Sequence, residues 1–159
     1  MRKILYCLLL IGILFSLFYS SGQTYEQQSL IPKLEKLLPG KPLEGTLSRL
    51  EIPYWGTTVS VEERGYYYFI EFLLRKSAHF FIFGFLSVAI YLILPKTWLR
   101  TIIAAFITLL VAVGDEYHQS LTGGRTPSAQ DVLLDMSGAV TFLIILRILI
   151  FFRKRKKIH

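Results

Sequence analysis

Four apolar runs, Ile4–Tyr19, Ala78–Leu94, Trp98–Val113 and Met136–Phe152, dominate this chain of 159 residues. Each is 16 or 17 residues long, at the short end of the roughly 17–25 that cross a bilayer as a helix. A soluble domain of this size forms one core and does not normally carry four such runs. Tyr19, Tyr91, Trp98 and the Tyr66-Tyr67-Tyr68 cluster lie where aromatic side chains anchor spans at headgroup depth. The expected fold class is an all-α membrane protein of four transmembrane helices, over about 4–20, 78–94, 98–114 and 136–152, in a single domain 1–159.

Threading these runs through a membrane sorts the charges. One face receives Arg2, Lys3, Lys96, Arg100 and the tail Arg153-Lys154-Arg155-Lys156-Lys157, with no carboxylate. The segments 21–77 and 115–135 on the other face hold all 11 acidic residues. The positive-inside tendency predicts both termini in the cytoplasm and the acidic segments outside it. The formal net charge of +7 is concentrated beside spans, where it meets anionic membrane lipid rather than nucleic acid. Cys7 has no partner for an intrachain disulfide and lies within the first run. That run, preceded by Arg2-Lys3, also has the look of a signal peptide, but it continues through Phe18 and Tyr19 and reads as a retained anchor.

Between the first two spans, Gln27–Leu38 spaces Leu30, Leu34, Leu37 and Leu38 as a short amphipathic helix lying on the membrane, ended by Pro39-Gly40. Residues 41–60 read as loop, with Thr57–Val61 alternating like a strand that has no partner. Tyr66–Lys76 leads as a continuous helix into the second span. In the second acidic segment, Ser128 and Asp131 have capping-box spacing.

Polar residues gather where spans meet the acidic face. At 100° per residue, Arg75, Lys76 and His79 share one helix face above Phe83, Leu86 and Ile90. Thr101, Ala105, Thr108, Ala112, Asp115, Glu116 and Gln119 form a small or polar stripe, as on a helix packed against other helices. Asp131 and Asp135 are i,i+4 and continue to Gly138, and Arg125 sits in the Gly-Gly-Arg turn before them. Ionised groups at this depth normally face the bundle and pair. Arg75, Lys76 and Arg125 are therefore expected against Asp115, Glu116, Asp131 and Asp135, holding the helices together. The same groups, with Gln119, also suit an outward pocket for a phosphate or carboxylate. Candidate catalytic groups are His79, Asp115 and Glu116. Asp115 and His118 are i,i+3, too few for a metal site, and no phosphate-binding glycine loop or nucleophile elbow occurs. No metal or cofactor is expected.

The motifs Phe18-Tyr19-Ser20-Ser21-Gly22-Gln23, Arg75-Lys76-Ser77-Ala78-His79-Phe80, Asp115-Glu116-Tyr117-His118-Gln119, Gly124-Arg125 and Asp131-Val132-Leu133-Leu134-Asp135-Met136-Ser137-Gly138 occur in this order along the chain. Together they resemble the VanZ-like family of bacterial membrane proteins. Many relatives have Asn where this chain has Asp135. The resemblance implies the bacterial cytoplasmic membrane and, for the founding member, low-level resistance to the glycopeptide teicoplanin.

Two functions are then open. In the first, a non-enzymatic envelope protein binds an anionic component, such as a cell-wall precursor, lipid headgroup or teichoic acid, through Arg75, Lys76, His79, Asp115, Glu116, Gln119, Arg125, Asp131 and Asp135. In the second, a membrane-embedded enzyme acts on a lipid-linked or phosphorylated substrate, with His79 as acid/base, Asp115 or Glu116 as its partner and Arg125 stabilising charge. The oligomeric state is left open.

Overall fold

The computed structural model describes residues 2–122 and 128–155. In chain order the elements are α1 (Arg2–Ser21), α2 (Ile31–Leu37), α3 (Glu44–Leu47), β1 (Ile52–Tyr54), β2 (Thr57–Val59), α4 (Val61–Arg64), α5 (Tyr66–Ile93), α6 (Arg100–Leu121) and α7 (Ala129–Arg155). Helices α1, α5, α6 and α7 are each long and apolar enough to cross a membrane. Apolar side chains such as Phe85, Ile102, Phe106, Leu110 and Ile144 lie exposed along them, as lipid-facing residues do. The protein is an all-α, multi-pass membrane protein, with one small hairpin among the described residues.

Helix α5 is the hub, packing against α1, α6 and α7. The core gathers Leu17, Phe83, Leu86, Ile90, Ala104, Ala112 and Leu143. Lipid supplies no hydrophobic drive between helices, so close approach through small residues holds them together. Along α6 the expected stripe faces inward: Thr108, Ala112, Asp115, Glu116 and Gln119 are buried, with Ala104 beside them. Between α5 and α7 the fit is tightest. A Cβ at Gly138 would fall on the Phe80 carbonyl, and one at Gly84 would lie 2.6 Å from the Phe142 ring. Ser87 Oγ donates across the same seam to the Ala139 carbonyl, 3.1 Å.

At the basic end, Pro95 follows α5, and the turn into α6 exposes 86% of Trp98, an interfacial anchor by composition. At the opposite, polar end, α5 extends beyond its apolar run and carries a small folded cap. Gly65, at φ +86°, separates α4 from α5 in a conformation that only glycine adopts readily. Val59, Val61, Tyr66 and Phe69 bury together there, with Leu38, Ile52 and Leu73 packed around them.

The cap departs from the sequence expectation in three ways. Thr57–Val59 does have a partner: it pairs antiparallel with Ile52–Tyr54, matching Ile52 to Val59 and Tyr54 to Thr57. Residues 41–60 are therefore a hairpin and the short α3 rather than a loop. The amphipathic helix begins only at Ile31, and it packs against α5 through buried Leu34.

Candidate functional site

Helices α5, α6 and α7, the end of α1 and the hairpin enclose a cavity of about 560 Å³ at the polar end. Arg75, Lys76, His79, Glu116, Gln119 and Asp131 all line it. Its apolar wall is aromatic, built by Tyr25, Tyr54, Trp55, Tyr68 and Phe72.

The α5 cations lie about one turn before His79 and are fixed differently. Arg75 pairs with Glu71 of its own helix, Nη2 to Oε1 2.6 Å, and not with the carboxylates of α6 or α7 as expected. The reason is local: Glu71 is i,i+4 to Arg75 on the same face. Glu71 is 1% exposed and also accepts the Leu30 N–H at 3.1 Å, anchoring the segment after α1. Arg75 further donates to Gln28 Oε1, 2.9 Å, and its guanidinium lies 4.6 Å from the Tyr25 ring centroid.

Lys76 reaches between elements instead. It pairs with Asp131 of α7, donates to Tyr54 Oη at 2.6 Å and sits 4.4 Å from the Tyr54 ring centroid. Tyr54 in turn donates to Asp131. Burial, and then this bond, push the Tyr54 phenol well above its ordinary range, so it remains a hydrogen-bond donor. The Trp55 N–H donates to Gln130 Oε1, 2.9 Å, completing a clasp between the hairpin tip and α7.

His79 Nδ1 lies 3.2 Å from Asp135 Oδ1. This corrects the expectation that Asp115 or Glu116 would be its partner. Glu116 accepts the Ser128 N–H at 2.7 Å. Ser128 Oγ accepts the N–H groups of Gln130 and Asp131 at the start of α7. Ser128 is thus an N-cap, but Asp131 makes no return bond to it, because its carboxylate is taken by Lys76 and Tyr54.

Asp115 does not line the main cavity. Ser21 at the end of α1 donates to it, as does Gln119 Nε2 at 2.7 Å. It faces a second cavity, of about 450 Å³, with Leu17, Phe18 and His118. His118 stacks on Phe18, centroids 4.6 Å apart. Asp135 is 0% exposed and lies behind His79 rather than on the cavity wall. Arg125 and Gly124 lie outside the described residues. Among the described residues, no group of three or more His, Cys, Asp and Glu converges on a metal position.

Sequence reasoning missed Tyr54, Tyr25, Ser21 and Glu71. Glu71 was legible from its i,i+4 spacing to Arg75. Tyr54 was hidden by reading its segment as loop.

The fold and site define a multi-pass helical membrane protein with a polar, aromatic-walled cavity at one end of its bundle. The VanZ/LLP1 family model matches residues 3–151, nearly the whole chain, and the protein belongs to that family. No curated protein and no solved structure matches it.

Proposed function

We propose that this VanZ/LLP1-family protein works in the bacterial cytoplasmic membrane, with both termini in the cytoplasm, and binds the anionic headgroup of an envelope amphiphile at its outward-facing polar end. The orientation is supported by the wholly basic character of the segments at the end holding the termini. One observation carries the binding reading: Arg75 and Lys76 share a cavity of about 560 Å³ with an aromatic wall. Both cations are already held in place, yet each keeps one N–H unspent within the described residues. Arg64, also on the cavity wall, has no ion pair among the described residues. A ligand with a phosphate or carboxylate and an apolar body meets both kinds of surface. Cell-wall precursors, lipid headgroups and teichoic acids share that chemistry. Holding one of them would alter access of teicoplanin to the cell wall.

The test compares Lys76→Ala and Arg125→Ala with wild type at matched membrane levels. Both substitutions are expected to weaken binding of a short-chain phosphatidic acid to the protein in neutral detergent micelles about tenfold, corresponding to about 1.4 kcal/mol, with binding falling further as salt rises. They are also expected to restore teicoplanin sensitivity. Undiminished binding and resistance in both variants overturns the reading.

A second reading, catalysis on a lipid-linked or phosphorylated substrate, draws on a separate observation: His79, on the cavity wall, is backed by a fully buried carboxylate.

A further inference from the structure

We propose that the cavity is a phosphohydrolase active site, in which His79 serves as general base and then general acid, Asp135 positions it, and the substrate is the terminal phosphoryl group of a membrane amphiphile. The inference rests on the headgroup-binding reading, because the phosphoryl group must first be held by Lys76 and Arg75.

The geometry around His79 argues for chemistry over packing. Asp135 has no exposed surface, and its Oδ1 faces His79 Nδ1 at 3.2 Å. Its Oδ2 is buried without a hydrogen-bond partner among the described residues. A carboxylate kept only to fill a helix seam would ordinarily have both oxygens satisfied. This one is directed at a single imidazole. With Nδ1–H donated to Asp135, the tautomer is fixed and the lone pair falls on Nε2. Nε2 has no partner among the described residues, and the His79 side chain lines the cavity. The ring is steadied from below by Phe83, centroids 6.1 Å apart. Lys76 and Arg75 lie three and four residues before His79 on α5, so their charges stand over the same wall. Glu116 is on that wall too, but it holds the Ser128 N–H at the start of α7.

The reaction balances without an oxidant or a second substrate. Lys76 and Arg75 hold the non-bridging phosphoryl oxygens and offset the charge that builds on them. Nε2 removes a proton from a water molecule as the water oxygen bonds to phosphorus. The bond from phosphorus to the bridging oxygen breaks, and the imidazolium, held beside Asp135, returns the proton to that oxygen. One water is consumed, and inorganic phosphate leaves.

The experiment uses the full chain in mixed micelles and reads phosphate release. One arm offers phosphatidic acid and a polyprenyl diphosphate; the other offers glycerol phosphate and p-nitrophenyl phosphate in free solution. Release is expected from the micellar amphiphiles. His79→Gln is expected to lower kcat about 100-fold or more. Asp135→Asn is expected to lower kcat with KM unchanged, the signature of an interaction that acts on the transition state. His79→Asn provides a second replacement should His79→Gln misfold, as judged by size-exclusion profile. Binding without release in either arm, or release retained by folded His79 variants, overturns the inference and leaves headgroup binding standing. Release from the soluble esters alone overturns the amphiphile as substrate. Loss of both binding and release in wild type defeats the binding reading as well.

Discussion

Helices α5 and α7 meet twice, and the two levels of one interface follow opposite rules. In the apolar part of the bundle, contact is made by leaving side chains out: Gly138 lies against the Phe80 backbone and Gly84 against the Phe142 ring. Toward the polar end, the same helices are joined by side chains that are expensive to bury, as Lys76 meets Asp131 and His79 meets Asp135. The lower level leaves no room for variation. The upper level leaves a cavity and unspent hydrogen-bonding capacity. Stability is concentrated in the first, and the proposed binding and chemistry in the second.

This contrast is broken most severely at Gly138. Gly138→Ala drives a methyl group into backbone that cannot give way, and a loss of about 3 kcal/mol or more is expected, at the top of the overpacking range. Thermal unfolding in detergent measures it; a change under about 1 kcal/mol would show that the seam yields. Asp131→Asn, at the polar level, removes one charge from a partly exposed pair and should cost about 1–2 kcal/mol. It also has a pH signature through Tyr54. A raised phenol pKa means stability that is complete below about pH 10 and lost as alkali titrates the folded group. Asp131→Asn should therefore bring tyrosinate absorbance in at lower pH, with Tyr54→Phe marking which tyrosine is responsible. The smallest effect is expected at Trp55, which takes φ +56° beside Gly56 at φ +68°, a turn that favours Asn-Gly. Trp55→Asn should stabilise the hairpin by about 0.5 kcal/mol while weakening ligand binding. Equal binding by this variant would remove Trp55 from the cavity's working surface.

Much of the bundle was legible because lipid imposes simple demands: length, apolarity and a small-residue stripe on α6 are all visible in the order of residues. The face shared by Arg75, Lys76 and His79 was legible for the same reason, since helical period fixes directions within one helix. That period says nothing about how a neighbouring helix is rotated. Asp135 rather than Glu116 therefore meets His79, and Arg75 turns back to Glu71. The hairpin was obscured by Pro53 and Gly56, which read as loop punctuation although they tolerate a short edge ladder. The Trp55-Gly56 turn between Ile52-Pro53-Tyr54 and Thr57-Thr58-Val59 was the available signal, weakened because a left-handed tryptophan is uncommon.

The length of α5 has a bearing on the bilayer itself. Counted from Ile93 at about 1.5 Å per residue, a hydrocarbon slab roughly 30 Å deep ends near Leu73. Lys76 and His79 then lie roughly 4 and 9 Å beneath its edge by the same count. On that count the hollow they line sets polar groups at a depth where the surrounding lipid offers only oil. A charged headgroup bound there as proposed would keep its own tails in the leaflet, which shortens the climb that normally keeps such groups at the surface.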